Sequence, residues 1–154
     1  MLDYKLRAYG GDSMTISYYD VEERGDDPSE KDYKDFSSNY IGKIIYFLEN
    51  ERTIYTRFIF IADHYRGKGI MGKMFSIMYS LNPNIKIVSL NVKEELLRKG
   101  KLVKHYGNLG FETIPDTERN IKLGNMTYRM LGMKKELTEK DFDTNLFFHN
   151  HNHF

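Results

Sequence analysis

Residues 65–72 read YRGKGIMG and bring three glycines and two cations together in eight positions. They come after the apolar run FIFIA and before a stretch with helical spacing of apolar residues. The first N–H groups of a helix have no partner inside the helix, and glycines let an anion approach them closely. Arg66 and Lys68 add positive charge. The stretch therefore fits a pyrophosphate cradle, and it fits equally a tight cationic turn without a ligand.

Strands are predicted throughout the first half of the chain. β-Branched and aromatic residues dominate 3–9, 13–22, 39–50 and 53–62, which is typical of strands. The GGD turn after the first strand and the ENER turn before the fourth indicate an antiparallel meander. Residues 23–38 are polar and acidic, with almost no aliphatic side chains, and are predicted to form a loop.

A helix is predicted over 70–81, where apolar residues recur three and four positions apart. Pro83 cannot continue this helix, and the apolar run 85–92 follows as a strand. A strand, a helix and a second strand in this order imply a crossover connection and therefore a parallel pair of strands. The glycine-rich turn then lies where the fourth strand meets the helix.

A second helix is predicted around Leu102 to Leu109, with Gly110 as its left-handed cap. The segments FETI and 126–137 are predicted to be the last two strands, joined by the LGN turn. These elements predict an α/β (α+β) chain with a mixed, mostly antiparallel sheet of about seven strands. A helix follows the fourth strand, and another follows the fifth.

The composition fits one soluble globular domain. The chain has 154 residues, of which 40% are hydrophobic and 29% charged, and we expect a domain over 1–137 with a tail over 138–154. A net charge of +1 gives no global field for nucleic acid, and no apolar run approaches the roughly 20 residues of a membrane span. The sequence contains no cysteine, which excludes thiolate nucleophiles and is compatible with a reducing compartment. We therefore expect a cytoplasmic protein without a metal site.

Two motifs resemble the GCN5-related N-acetyltransferase (GNAT) family. Its cofactor loop follows the pattern Q/R-x-x-G-x-G/A between the fourth strand and a helix, and residues 66–70 fit the first five places, while Met71 occupies the sixth. A second family pattern, A-x-x-x-Y-x-x-x-G-F, is matched at Tyr106, Gly110 and Phe111. The resemblance covers residues 39–137. The family's two helices between the first two strands are expected to be reduced or absent, because only the GGD turn stands there. The alternative is that the acidic segment 23–38 replaces them in part.

The resemblance implies acetyl transfer from acetyl-coenzyme A (acetyl-CoA) to a primary amine, such as a small amine, a polyamine or a lysine side chain. In the family, the pantetheine arm runs beside the fourth strand, and the pyrophosphate lies at the glycine turn. For Asn108, a role as a helix-end cap is an equal alternative to cofactor binding. The residues implied in cofactor binding are Phe60, Ile61, Ala62, Arg66, Gly67, Lys68, Gly69, Ile70, Met71, Gly72 and Asn108.

Tyr106 is the implied general acid. A phenol with a pKa near ~10 can protonate a departing thiolate whose conjugate acid has a pKa near ~8.5. The alternative is a half-buried core tyrosine, because Tyr106 is in register with its apolar neighbours on the helix. Glu49, Glu51 and Tyr55 are candidate bases for the amine. Both glutamates fit a solvated hairpin better, and a water chain would remove the need for a single base.

Two alternatives to an acetyltransferase remain open. A non-catalytic CoA-binding or protein-interaction module is favoured by Met71 and by the missing helices. Met71 also falls on the apolar face of the predicted helix, so we expect its side chain to turn into the core and leave its N–H free. A plain nucleotide-binding domain is disfavoured because no Walker motif is present. In the family, the two missing helices form a wall of the acceptor pocket. In a homodimer, the second subunit would supply this wall.

Two further segments, one acidic and one containing alternate histidines, concern the ligands that the protein could bind. Residues 20–35 contain eight acidic and three basic residues, which predicts either attraction of a cationic amine or simply a solvated loop. The tail places His149, His151 and His153 at alternate positions. Adventitious metal binding or disorder at a chain end accounts for this pattern better than a functional metal site.

Overall fold

The computed structural model describes residues 2–20 and 39–142, which form an eight-stranded sheet and two α-helices. The strands are β1 (Leu2–Gly10), β2 (Ser13–Asp20), β3 (Tyr40–Asn50), β4 (Thr53–Ile61), β5 (Ile87–Glu95), β6 (Glu112–Thr113), β7 (Arg119–Leu123) and β8 (Met126–Glu136). The helices are α1 (Ile70–Leu81) and α2 (Lys101–Asn108).

The sheet is mixed and mostly antiparallel, as predicted. Its strand order is β1-β2-β3-β4-β5-β8-β6, with β7 pairing β8, and β4–β5 is its parallel pair. A tight turn joins β1 to β2, because Gly10 pairs with Ser13. No helix therefore stands between the first two strands. The acidic segment 23–38 lies outside the described residues, as do His149, His151 and His153.

The last strands differ from the prediction. The LGN turn joins β7 to β8, whereas FETI contributes only the two-residue strand β6. The sequence did not predict β7. Ile121 is the one half-buried residue of this strand, so its sequence lacks the alternation of apolar and polar residues that marks a strand. β5 begins two residues later than predicted and continues to Glu95, because β8 pairs with it as far as Glu95.

A bulge in β4 shapes the centre of the sheet. Ile45 of β3 pairs with Phe58, but the next residue, Tyr46, pairs with Thr56, so Arg57 is an extra residue in β4. The parallel pairing of β4 with β5 ends at Thr56 opposite Leu90. Beyond this point β4 continues beside β3 and β5 continues beside β8. The two strands therefore part at the bulge, and the edge of β4 that faces β5 becomes free.

The hydrophobic core lies between one face of the sheet and the two helices. α1 buries Met74, Phe75 and Met78 against this face. Phe111, which follows α2, lies 5.3 Å from the Phe75 ring and 5.8 Å from the Tyr106 ring. The periodicity that predicted α1 thus reflects its packing, and both helices of the described chain cover the same face.

Two buried core tyrosines form a matched pair for measuring one hydrogen bond. The Tyr18 hydroxyl donates to the Met74 carbonyl of α1 at 2.7 Å, whereas the Tyr79 hydroxyl is buried and has no hydrogen-bond partner in the described chain. We expect Tyr18→Phe to lower the free energy of unfolding by about 1 kcal/mol and Tyr79→Phe to leave it unchanged or raise it. Urea denaturation checks both values. A larger loss for Tyr79→Phe would contradict the assigned bond.

Candidate active site

The glycine turn adopts a backbone that favours glycine. Gly67 and Gly69 have φ of 74° and 71°, in the left-handed region. Gly69 immediately precedes α1, and neither a capping side chain nor an acidic residue occupies the first turn of this helix. Within residues 2–20 and 39–142, the first N–H groups of α1 therefore have no side-chain acceptor, and the positive end of the helix dipole faces the turn. This is the arrangement that binds phosphate groups.

The two cations of the turn point in different directions. Arg66 Nε donates to the Ile61 carbonyl at 2.9 Å, and its Nη1 lies 2.9 Å from the Asp63 carboxylate. The Lys68 ammonium lies 5.8 Å from the centre of the Tyr65 ring and lines a separate cleft of about 210 Å³. Arg66 thus holds the end of β4 against the turn, whereas Lys68 faces the other side of it.

A cleft of about 450 Å³, here called the turn cleft, joins the end of β4, the glycine turn and both helices. It brings most of the predicted cofactor residues together with Tyr106. Ile59, Tyr65, Leu102 and Leu109 also line it, although no motif in the sequence marked them as site residues. The residues that line it are Ile59, Phe60, Ile61, Tyr65, Arg66, Gly67, Gly69, Ile70, Met71, Gly72, Leu102, His105, Tyr106 and Leu109.

Met71 faces both the core and the turn cleft. Its side chain is half-buried and packs against the core cluster, as expected, but it also lines the cleft. Gly72 stands where α1 approaches α2, since a Cβ at this position would lie 3.4 Å from Leu109 Cδ2. A Cβ here would thus be in van der Waals contact with the residue that follows α2.

The free edge of β4 presents main-chain groups to the turn cleft. Ala62 N–H donates to the Ile41 carbonyl at 2.7 Å, so this N–H faces β3. Antiparallel pairing alternates the direction of successive residues, so the N–H groups of Ile61 and Ile59 face away from β3. Phe60, Ile61 and Ala62 were predicted to bind the cofactor through their main chain. Of these three, Ile61 has an N–H that faces away from β3 and can donate to a ligand. The N–H groups of Phe60 and Ala62 face β3.

Tyr106 lies on α2 between two clefts. It is 7% exposed, and burial raises the pKa of its hydroxyl to about 12. The ring packs edge-on against Phe111, and the hydroxyl makes no hydrogen bond to another described residue. A neutral hydroxyl without a partner is available to a bound molecule.

A second cleft, here called the strand cleft, opens where β4 and β5 part. Its volume is about 430 Å³, and it shares Ile59, Leu102 and Tyr106 with the turn cleft. Two bound molecules, one in each cleft, would therefore meet at these three side chains. The residues that line the strand cleft are Thr56, Arg57, Phe58, Ile59, Leu90, Asn91, Val92, Lys93, Leu102 and Tyr106.

The three predicted bases lie at different distances from these clefts. The Tyr55 hydroxyl accepts a 2.8 Å hydrogen bond from Asn91 Nδ2, and Asn91 lines the strand cleft. Glu49 accepts a bond from Ser89 at 3.2 Å, and Glu51 lies in the β3–β4 turn. That turn is roughly 20 Å along β4 from Ile59, at about 3.3 Å per residue. Tyr55 is therefore adjacent to the strand cleft. The Glu49 carboxylate lies beside Tyr55, because Ser89 is the β5 residue that pairs with Tyr55. Glu51 is the one of the three that is remote from the cleft.

Asn108 is exposed in the last turn of α2, and it lines neither cleft. His105 of α2 also lines the turn cleft. Residues 2–20 and 39–142 contain no group of three or more His, Asp or Glu side chains arranged to hold a metal ion. No helix in these two ranges is long and apolar enough to cross a membrane.

Glu94 of β5 fixes the start of α2, a role that the sequence did not reveal. Its side chain is only 4% exposed, and its Oε2 accepts the Leu102 N–H at 2.9 Å. α2 begins after Gly100, which has a φ of 78° and no capping side chain. A carboxylate from the strand thus replaces the missing cap and holds the helix that carries Tyr106.

We expect Glu94→Leu to lower the free energy of unfolding by about 1–3 kcal/mol, because it removes a buried acceptor from the helix start. Glu94→Gln keeps a side-chain oxygen and should lose less. Urea denaturation measures the losses, and hydrogen exchange at the Leu102 amide reports the bond itself. Equal exchange rates in the two variants would contradict the capping role.

Comparisons with known proteins support the fold. No protein-family model matches the chain, and no curated protein matches it by sequence. A chimera of the spermidine N-acetyltransferase SpeG from Vibrio cholerae and hSSAT superposes with a TM-score of 0.59 and 17% identity, over 86% of this chain and 70% of that chain.

Two further solved structures are similar. Spermidine N-acetyltransferase from Vibrio cholerae in complex with CoA and spermine has a TM-score of 0.57 and 17% identity, over 81% of this chain and 66% of that one. Nourseothricin acetyltransferase has a TM-score of 0.58 and 12% identity, over 89% and 85% of the two chains. The chain therefore has the fold of the GNAT acetyltransferases.

Proposed function

We propose that the protein is an N-acetyltransferase that transfers the acetyl group of acetyl-CoA directly to a primary amine. The observation that carries this proposal is the meeting of two clefts at Tyr106, where β4 and β5 part. One cleft ends at a helix start suited to phosphate, and the other shares Ile59, Leu102 and Tyr106 with it and opens where β4 and β5 part. A two-substrate reaction needs this arrangement.

The turn cleft suits the cofactor. The pyrophosphate lies against the first N–H groups of α1 and the backbone of Gly67 and Gly69. The pantetheine arm runs along the free edge of β4, where Ile59 and Ile61 offer main-chain donors. Arg66 is close enough to the turn to exchange its bond with the Ile61 carbonyl for a phosphate oxygen.

The reaction forms a C–N bond and breaks a C–S bond. The amine attacks as its free base, and the carbonyl oxygen gains negative charge, which an N–H of Ile59 or Ile61 stabilises. As the thiolate leaves, the Tyr106 hydroxyl donates to the sulfur. The proton lost by the amine returns through water to the phenol, so no charge accumulates. Tyr55 and Asn91 hydrogen-bond beside the strand cleft and hold the start of this water path.

The raised pKa of Tyr106 defines its role. Complete proton transfer from a phenol with a pKa of about 12 to a thiolate whose conjugate acid has a pKa near ~8.5 is uphill by roughly 5 kcal/mol. Tyr106 therefore acts first as a hydrogen-bond donor to the developing thiolate. It releases its proton fully only as the amine's proton replaces it.

A non-catalytic CoA-binding module of the same fold is the second candidate, and Met71 favours it. This side chain lines the turn cleft at a place where the family has a small residue. Such a protein would bind CoA and acetyl-CoA alike and would not acetylate amines.

Calorimetric titration with acetyl-CoA, CoA and ATP, followed by a thiol-release assay, separates these functions. We expect acetyl-CoA to bind more tightly than ATP, and free thiol to appear only when a primary amine is present. Binding without amine-dependent thiol release would select the non-catalytic module. Failure of acetyl-CoA to bind would overturn both candidates.

A further inference from the structure

His105 brings a basic side chain of α2 to the turn cleft. It lines this cleft and does not line the strand cleft, whereas Leu102 and Tyr106 of the same helix line both. A molecule in the turn cleft can therefore contact His105 without any contact to a molecule in the strand cleft. In the arrangement proposed above, that molecule is the cofactor.

The imidazole of His105 is available to a ligand. The residue is exposed, and its ring packs edge-on against the Tyr106 ring, with 5.9 Å between the ring centres. No hydrogen bond or ion pair joins the imidazole to another residue of 2–20 or 39–142. A protonated imidazole donates from both of its nitrogens, and an anionic oxygen is a strong acceptor for such a donor.

His105 lies close to the groups that are suited to phosphate. It precedes Leu109 by four residues, which is one helical turn or about 6 Å along α2. Leu109 in turn lies beside Gly72 of α1, since a Cβ on Gly72 would be 3.4 Å from Leu109 Cδ2. Gly72 belongs to the first turn of α1, whose N–H groups are those proposed to bind phosphate. A phosphate bound there is within reach of the His105 side chain.

The groups that line the turn cleft with His105 favour an anion. Arg66 also lines this cleft, whereas its carboxylate partner, Asp63, does not. The other ionisable groups that line it are the phenols of Tyr65 and Tyr106, and the parts of β4 and α1 that line it are apolar or glycine. Among the described residues, the turn cleft is thus lined by cationic and neutral side chains and by no carboxylate.

The helix that carries His105 is itself basic. Lys101 precedes His105 by one helical turn and Lys104 precedes it directly, and both lysines are exposed. Glu94 of β5 contacts α2 through the Leu102 N–H, at the start of the helix. α2 therefore presents positive charge near the turn cleft, and a phosphate bound beside His105 is attracted by these cations as well.

On the basis of the proposed acetyl-CoA site, we propose that His105, in its protonated form, binds a phosphate group of the cofactor. Acetyl-CoA carries a pyrophosphate within its chain and a separate 3′-phosphate on its adenosine. The bound phosphate lies between the first turn of α1 and His105 and accepts hydrogen bonds from both. Histidine side chains change their charge between about pH 5 and 8, so this contact makes the affinity for the cofactor depend on pH.

Calorimetric titration with acetyl-CoA at pH 6 and pH 8 tests this contact in the wild-type protein, His105→Gln and His105→Arg. The Kd of each variant is divided by the wild-type Kd at the same pH, so that protonation of the ligand itself cancels. For His105→Gln we expect a ratio of about three to five at pH 6 and of less than about two at pH 8, because a partly exposed ion pair contributes modestly. His105→Arg stays charged, so at pH 8 it should bind at least as tightly as the wild type.

His64→Gln is the matched control, because His64 comes just before the glycine turn, is exposed and does not line the turn cleft. Its Kd should equal that of the wild type at both pH values. Acetyl-3′-dephospho-CoA, which lacks the adenosine phosphate, identifies the group that is bound. If the pH-dependent ratio of His105→Gln persists with this ligand, His105 binds the pyrophosphate; if it disappears, His105 binds the 3′-phosphate.

The contact and the cofactor site can fail separately. If the wild type binds acetyl-CoA but the His105→Gln ratio is the same at pH 6 and pH 8, the inference is overturned and the cofactor site stands. The same holds if His105→Arg loses as much affinity as His105→Gln at pH 6. If the wild type does not bind acetyl-CoA at either pH, the cofactor site and the inference are both overturned.

Discussion

Replacement of Tyr106 by phenylalanine is expected to lower kcat by about 100-fold while the Kd for acetyl-CoA stays within about twofold of the wild-type value. The ring remains, so its packing against Phe111 is kept. What is lost is the hydroxyl that donates to the leaving thiolate, and positioned proton donors contribute about 10²–10⁴ in rate. Steady-state thiol release and calorimetry measure the two quantities.

The pH dependence of the rate separates this role from simple packing. Because burial raises the pKa of Tyr106 to about 12, its hydroxyl stays protonated through pH 10. The wild-type kcat/KM should therefore rise with pH as the amine loses its proton, without a descending limb below about pH 11. Tyr106→Phe should lie below the wild type throughout. Equal rates at every pH would show that the hydroxyl plays no part.

Replacement of Gly69 by valine is expected to weaken acetyl-CoA binding by at least roughly tenfold. Gly69 has a φ of 71°, which a β-branched residue adopts only with strain, and it immediately precedes the N–H groups at the start of α1. A shift of this turn removes several donors from the pyrophosphate at once. Calorimetric titration with acetyl-CoA measures the loss.

Gly124→Val is the matched control. Gly124 has a φ of 62° in the β7–β8 turn and lines neither cleft, so it carries similar backbone strain without a ligand. Both variants should lose stability in urea, but only Gly69→Val should lose affinity. Equal affinities of the two variants for acetyl-CoA would show that the glycine turn is not part of the cofactor site.

The elements with strong periodicity could be predicted from sequence alone. The bounds of α1 are those predicted, because its apolar face is wide and Pro83 follows. The parallel β4–β5 pair also followed from the strand, helix, strand order. The bulge at Arg57 could not be predicted, since it depends on the register between two strands and leaves no local signal. β7 was missed for a similar reason, because its pairing depends on β8.

The parts of the candidate site that are marked by side-chain motifs could be predicted from the sequence. The glycine turn and Tyr106 stand out by residue type and spacing, and the turn cleft brings them together. Glu94 did not stand out, because its capping role depends on strand register and on a helix that comes later in the chain. The main-chain donors of β4 carry no sequence signature at all, since any residue supplies an N–H.

Transfer of a labelled acetyl group tests the central claim most directly. Acetyl-CoA labelled with carbon-13 at its carbonyl is followed by NMR with the wild-type protein and 4-aminobutyrate, butylamine and 1,4-diaminobutane in turn. We predict that the thioester signal is replaced by an amide signal, with one free thiol for each amide formed. A thioester that persists with every amine, or that gives only free acetate, would contradict the proposed function.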